Sequence, residues 1–407
     1  MELPFIKNFE QFAGKRVFLR ACLNAPMENG KLTNSFRLRR LQPTIQALRE
    51  VGAKVILAGY LSHEVTCGFK PVAEFLGVEL LDTLDPRQLQ ERAGRLGSGE
   101  VVMLPNLRRD PREEKNDLTF AHELASLADV YVNDAFPDSH REYSSIIGIP
   151  RLLPSLLGPQ FQLEIEHLSK AFSPAHPFLF ILGGAKFSTK EPLVSGFLES
   201  ADHIFITGAL ANTFFKAKGY EVGTSLIEPD EVVCPKTGPE ALLPDAFGPP
   251  RRACFRGDYQ RLRDLMENKK ILLPIDVTVQ GLRGSCVKKP DAVLPDENML
   301  DVGPATVAMV KELIGPSQFV LWNGPLGNFE KGFSSSTDEV ALALAISHAT
   351  SIVGGGDTLA ALNRLGLDEK RKDEGGFDFV STAGGAMLDF LAHRSLPGIE
   401  AVKNARQ

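Results

Sequence analysis

Cysteine is scarce in this chain. Five occur in 407 residues (Cys22, Cys67, Cys234, Cys254 and Cys286), far apart, with no Cys-x-x-Cys pair and no histidines at zinc-ligand spacing. That pattern argues against a disulfide framework and against structural zinc, and it reads as a reducing compartment. No run of about 18 apolar residues occurs, and the first ten residues lack a basic stretch followed by an apolar one, so neither a spanning helix nor a secretory leader is expected. The expectation is a cytoplasmic protein with no membrane partner. Positive charge is not in excess either: 45 Lys and Arg face 51 Asp and Glu, for a net charge of −6. This argues against a nucleic-acid binder of the basic-patch kind, although the total can hide a local cationic cleft. Gly-x-x-x-x-Gly-Lys-Ser/Thr is missing, as is Gly-x-Gly-x-x-Gly behind a strand, so any phosphate site must be built differently from a P-loop or a dinucleotide fingerprint. There is no short-period repeat or low-complexity tract.

What is present is a globular α/β pattern. At roughly 100 to 200 residues per domain the length predicts two or three domains. Short β-branched runs at 16–20 (RVFLR), 54–59 (KVILAG), 101–104 (VVML) and 130–133 (VYVN) alternate with helical segments at 36–51 and 118–127, the rhythm of βαβ units on a parallel sheet. Leu38, Leu41, Ile45 and Leu48 fall on one stripe of the first helix and read as core. In the second half, strand-like runs end in glycine-rich turns five times, at 178–186, 204–208, 319–327, 351–358 and 379–386. One such turn is common at any strand-to-helix junction, but five predict a nucleotide or polyphosphate site at the carboxyl ends of the strands. The segment 150–170 opens with Pro and Gly and continues as a helix, and it is the best linker candidate.

Charged residues beside those turns are the site candidates. Lys186 and Lys190 follow the first turn four apart and would share a face if a helix starts there. Asp357 follows three glycines; it reads as a helix N-cap or, beside a phosphate cradle, as a Mg²⁺ ligand. Glu330 alone would be a surface residue, or it could accept from ribose hydroxyls. In the first half Arg20, Arg37, Arg39, Arg40, His63, Arg108, Arg109 and Arg141 sit at or just beyond strand ends. Some are ordinary surface arginines, while several on one rim would bind a small anion carrying phosphate and carboxylate.

At this point the residues resemble the phosphoglycerate kinase family. The runs 133–136 (NDAF), 113–117 (EEKND), 183–186 (GGAK) with Lys190, 271–277 (ILLPIDV), 322–325 (WNGP) and 353–358 (VGGGDT) are similar to its motifs, in order and over nearly the whole chain. The resemblance implies an α/β fold of two doubly wound, Rossmann-like parallel-sheet domains joined by a hinge helix. Residues 1–155 would hold the triose phosphate, 156–172 the interdomain helix, 173–394 MgATP or MgADP, and 395–407 would return to the first domain. The implied reaction is phosphoryl transfer between 1,3-bisphosphoglycerate and ADP, giving 3-phosphoglycerate and ATP in glycolysis, by hinge closure of a monomer. Arg37, Lys186, Gly355 and Gly384 would act on the migrating phosphoryl group. Gly183, Lys190, Gly208, Asn323, Pro325, Glu330, Gly354, Gly356 and Thr358 would complete the nucleotide site, with Asp357 on Mg²⁺. Cys22, Leu23, Asn24, Tyr60, Leu61, Ser62, His63, Arg108 and Arg141 would join Arg37 at the triose.

The departures from the family pattern are concentrated. Arg20-Ala21-Cys22-Leu23-Asn24-Ala25-Pro26 stands where Arg-Val-Asp-Phe-Asn-Val-Pro is usual, so a carboxylate acceptor is a thiol. Gly59-Tyr60-Leu61-Ser62-His63-Glu64 stands where Ser-His-Leu-Gly-Arg-Pro is usual, leaving Tyr60 and His63 in place of His and Arg. In the nucleotide half, glycines are lost at Thr207, Ala209 and Ala383, and Asn328 replaces an apolar residue near the adenine. An active kinase with a remodelled triose site is the first reading; the alternatives are a nucleotide-binding pseudoenzyme or scaffold, and a kinase of a different small carboxylic acid.

Overall fold

The run RVFLRA forms a strand, β1 (Arg16–Ala21), buried from its second residue onward, as a strand covered on both faces must be. It lies inside a six-stranded sheet with β2 (Lys54–Ala58), β3 (Glu79–Leu80), β4 (Val101–Met103), β5 (Val130–Asp134) and β6 (Ser155–Leu157), in the order β3-β4-β2-β1-β5-β6. Every pairing in it is parallel. The computed structural model describes residues 3–61, 68–229, 242–243, 251–252 and 259–405. Contacts divide the chain into one unit of Met1–Lys170 with Ser381–Gln407 and a second of Ala171–Val380.

The second unit repeats the plan. Its sheet holds β7 (Phe178–Leu182), β8 (His203–Ile206), β9 (Ile271–Leu272), β10 (Phe319–Asn323), β11 (Thr350–Gly354) and β12 (Phe379–Val380), in the order β9-β8-β7-β10-β11-β12. These pairings are also all parallel. In each sheet the strand order reverses beside the first strand, between β1 and β5 and between β7 and β10. The carboxyl ends at such a reversal open the crevice in which doubly wound sheets bind ligands. There the chain presents Cys22 to Asn24 and the segment after Asp134 in one unit, and Gly183 and Gly324 in the other.

Helix Phe36–Glu50 buries Leu38, Leu41, Ile45 and Leu48 and leaves Arg37 half-buried in its first turn. Helix Leu118–Ala125 is capped by Asp117, whose carboxylate accepts from Phe120 N–H at 2.9 Å. The linker candidate differs from its reading: it contains the short strand β6, paired with β5, before helix Pro159–Leu168. That helix ties down the returning chain. Its buried Glu164 accepts from Ser381 Oγ at 2.7 Å, Thr382 N at 2.7 Å and Thr382 Oγ1 at 2.6 Å. Helix Gly385–His393 then brings Phe390 to 5.7 Å from Phe136, ring to ring, and Gly398 N–H donates to Ser139 O at 2.9 Å. The return to the first unit therefore begins at Ser381, not 395, and the fifth glycine turn with Gly384 belongs to the first unit.

A separate antiparallel sheet of Val277–Gly281, Gly284–Lys288 and Asn298–Val302 lies in the second unit. No described helix is long and apolar enough to cross a membrane. Among the described cysteines Cys22 is a buried free thiol and Cys286 an exposed one; Cys67, Cys234 and Cys254 lie outside the described residues.

Candidate active site

In the second unit the ends of β7 and β10 cross so closely that no side chain fits. A Cβ on Gly183 would stand 2.5 Å from Pro325 O, and Gly183 N–H donates to Asn323 O at 2.7 Å. Gly324 N–H donates to Thr358 Oγ1 at 3.0 Å and Trp322 Nε1–H to Gly324 O at 2.7 Å, so the turn is held from both sides. Gly355 caps helix Gly356–Arg364 with φ of +103°, a backbone region open to glycine. The cradle therefore exposes main chain rather than side chains, as close approach to phosphate oxygens requires.

Two expectations change here. No helix runs through Lys186 and Lys190: helix Glu191–Phe197 starts after them, with Lys190 at its N-cap position, and Lys186 is exposed on the preceding loop. The half-buried Lys190 instead reaches back over the glycine turn, its Nζ occupying the space a Cβ on Gly184 would need. Burial lowers the Lys190 ammonium below its ordinary value, and Asp357 opposes that. Asp357 is not the N-cap, since Gly355 is; it lies in the first turn. Its carboxyl is raised by burial and by Glu330, with Lys190 pulling it back down. Thr358 is fully buried and braces Gly324.

Beside this cradle is a cavity of about 520 Å³ lined by Gly184, Gly208, Pro325, Glu330 and Asp357, among others, a size that suits a small ligand. Its apolar walls come from Phe215, Leu226, Val277, Met299, Leu300 and Val302. Nothing local in the chain selects these residues, because each alone reads as core and they converge from a helix, a loop and two antiparallel strands. Asp301 also lines the cavity; burial pushes its carboxyl up to about 6, against the Ser336 hydroxyl and Val302 N–H bonds that favour its charged form. Asn328 is at the cavity too, its side chain accepting from Lys331 N–H at 3.1 Å.

In the first unit the structure brings Asn24 and Arg37 together: Arg37 Nη1 donates to Asn24 O at 2.8 Å, and its Nε donates to Thr382 O at 2.8 Å. Cys22 follows the end of β1 and is buried. Burial first and Asp138 second push its thiol up to about 12, with Arg37, the Asn24 backbone and Arg20 opposing. It is a neutral thiol at physiological pH. Leu23 and Leu61 are core side chains, so only their backbone can face a ligand. Arg20, a candidate anion binder in the sequence, is instead fully buried: its Nη1 donates to Asp138 Oδ2 at 2.7 Å and its Nε to Ser145 Oγ at 2.9 Å. Burial opposes its charge, and Asp138 and Glu113 more than restore it.

Arg39 donates to Ser35 Oγ at 2.6 Å, Arg40 lies 5.1 Å from the Phe36 ring, and Arg109 is exposed. Arg108 lies over the buried Tyr60, 4.0 Å from the ring centroid, and Arg141 shares a tyrosine hydroxyl with it, that of Tyr143. Burial and then Asp138 raise the Tyr60 phenol above its ordinary range, keeping it protonated. Ser62 and His63 lie outside the described residues. Asp138 and Tyr143 had no local sequence signal, and Glu114 was visible only as a member of the run 113–117. They reach the site from the segments after β4 and β5.

Comparison with known proteins agrees with this architecture. The family model for phosphoglycerate kinase matches residues 6–394. A phosphoglycerate kinase of Koribacter versatilis is 39% identical over 422 residues, covering 97% of this chain and 98% of its own, and one from Roseiflexus sp. (strain RS-1) is 37% identical over 413 residues with the same coverage. Among solved structures, phosphoglycerate kinase from Coxiella burnetii superposes with a TM-score of 0.73 at 34% identity, covering 96% of this chain and 97% of its own. That from Pyrococcus horikoshii OT3 gives 0.80 at 28% identity, covering 98% of each.

Proposed function

The chain belongs to the phosphoglycerate kinase family, and from that premise we propose that it transfers a phosphoryl group between 1,3-bisphosphoglycerate and ADP, giving 3-phosphoglycerate and ATP. In the reverse direction the 3-phosphoglycerate carboxylate oxygen bonds to the γ-phosphorus as the bridging oxygen leaves on ADP. The observation that carries the reading is the glycine cradle at β7 and β10, which adjoins an apolar-walled cavity of about 520 Å³. Backbone N–H groups and Lys190 suit phosphates, and Met299, Leu300 and Phe215 suit a base.

The residues fit Mg²⁺ held with a nucleotide. Among the described residues no group of three or more His, Cys, Asp or Glu could hold a metal alone, whereas Asp357 offers one carboxylate beside the cradle, which is how Mg²⁺ is held when phosphates and water supply its other oxygens. When bound, it would neutralise nucleotide phosphate charge.

The chain's own residues then divide the work of positioning and charge neutralisation that phosphoryl transfer demands. Lys186 and Arg37 stabilise the migrating group, with the Gly355 and Gly384 amides. Lys190 and Asn323 hold nucleotide phosphates, with Gly183, Gly208, Pro325, Gly354, Gly356 and Thr358 shaping the cradle, and Glu330 holds the ribose. Asn24, Arg37, Tyr60, Arg108 and Arg141 receive the triose, aided by Ser62 and His63. Cys22 stands in for an acid there. Losing one charge-assisted hydrogen bond costs about 1.5–3 kcal/mol, so the arginines must carry more of the affinity. Hinge closure, a monomeric state and a cytoplasmic location complete the proposal. Separate calorimetric titrations test it: MgADP and 3-phosphoglycerate should each bind on their own, and failure of MgADP to bind would refute it.

A further inference from the structure

The Tyr143 hydroxyl sits where three charged side chains meet. Arg108 Nη2 donates to it at 2.6 Å and Arg141 Nη1 at 3.3 Å, while it donates to Glu114 Oε1 at 2.9 Å. A phenol has one hydrogen to give and two lone pairs to fill, so these three bonds saturate it. The ring is fixed as well. It meets Tyr60 edge to face with centroids 5.9 Å apart, and Tyr60 in turn lies under the Arg108 guanidinium at 4.0 Å. Tyr143 is only 8% exposed.

Two guanidiniums on one oxygen repel each other; Glu114 Oε1, 2.9 Å from Arg108 Nε, offsets part of that charge, and Asp138 adds its field at Arg141. The Nε atoms of both arginines are buried without an aligned hydrogen-bond acceptor among the described residues. Guanidinium donors held in place in advance are what a phosphate or carboxylate oxygen requires.

We infer that Tyr143 is the positioning residue that locks Arg108 and Arg141 into a two-pronged receptor for the anionic end of a small phosphorylated acid. A rigid phenol does this at low cost, because the two flexible arginine side chains are ordered before the ligand arrives and less freedom is lost on binding. The identity of the acid as 3-phosphoglycerate rests on the function proposed above.

Tyr143→Phe keeps the ring and removes the hydroxyl. The KM for 3-phosphoglycerate should rise about tenfold, the factor set by one hydrogen bond to a charged group. The KM for MgATP and kcat should stay at their wild-type values, and inhibition by inorganic sulfate competing with 3-phosphoglycerate should weaken by the same factor. An unchanged KM for 3-phosphoglycerate in an otherwise active pair of enzymes would overturn the inference alone. So would a joint rise of both KM values with a lowered melting temperature, since that is the mark of a merely structural residue. A wild-type protein that neither turns over nor binds 3-phosphoglycerate in a titration would overturn the proposed function, and this inference with it.

Discussion

Replacing Asp138 by Asn should reveal what holds Arg20 in the core of the first unit. Asp138 pairs with Arg20 at 2.7 Å, and the two side chains are 3% and 0% exposed. Removing one partner of a buried pair leaves the other charge unpaired in low dielectric, which costs about 3–5 kcal/mol. Here the lower end applies, because Arg20 keeps its bonds to Ser145 Oγ and Ala21 O and the field of Glu113. The expected loss is therefore about 3 kcal/mol in the unfolding of the first unit, read by urea titration at pH 7. Glu74, whose ion pair with Lys70 is 67–75% exposed, supplies the control in the same unit: Glu74→Gln should leave the same transition unmoved, as exposed pairs do. Asp138 lies in the first unit, so the variant should keep its affinity for MgADP. A stability loss below about 1 kcal/mol would refute the reasoning, since that is the range of a surface pair.

Arg37→Ala should lower kcat by about 100-fold or more, the usual loss when a donor to transition-state charge is removed, and leave MgATP affinity as it was. Loss of MgATP binding in that variant, measured by calorimetry, would contradict its assignment to the triose and the migrating group. The Asp301 carboxyl, ordinarily 3.8, is raised to about 6 in the fold, so its contribution to stability is complete below pH 4 and is lost as pH rises through 6. Asp301→Asn should accordingly gain on the wild type between pH 4 and pH 8, by about 3 kcal/mol from the linkage of the shift. A difference in unfolding free energy that does not change with pH would show that the carboxyl is not raised.

The parts of the fold visible in the sequence are those with a local cause. β1, β2, β4 and β5 announce themselves as β-branched runs because both sheet faces are covered, and helix Phe36–Glu50 shows a stripe because only one side of it is. The glycine turns were visible because close backbone approach at Gly183 admits no side chain. What was hidden depends on partners distant in sequence. β6 is three residues long and exists because it pairs with β5. Arg20 reads like any other arginine at a strand end until Asp138, 118 residues away, is placed on it. The cavity walls at Phe215, Met299 and Leu300 have the composition of ordinary core. Lys186 and Lys190 do not share a helix face for a related reason: a spacing of four implies one only on a helix, and the chain there is a loop whose Lys190 is drawn back over Gly184. Cys22 was visible as a departure, but its neutrality follows from burial and from Asp138, which local sequence does not show.

A site with Cys22 in place of an acid should still turn over, because Arg37, Arg108 and Arg141 remain. Steady-state turnover of the purified full-length chain with MgATP and 3-phosphoglycerate, followed through a coupled reduction of the acyl phosphate, tests it directly. Turnover should saturate in both substrates and require Mg²⁺. No turnover at saturating 3-phosphoglycerate, with MgATP still bound tightly, would contradict it and leave a nucleotide-binding protein without this chemistry.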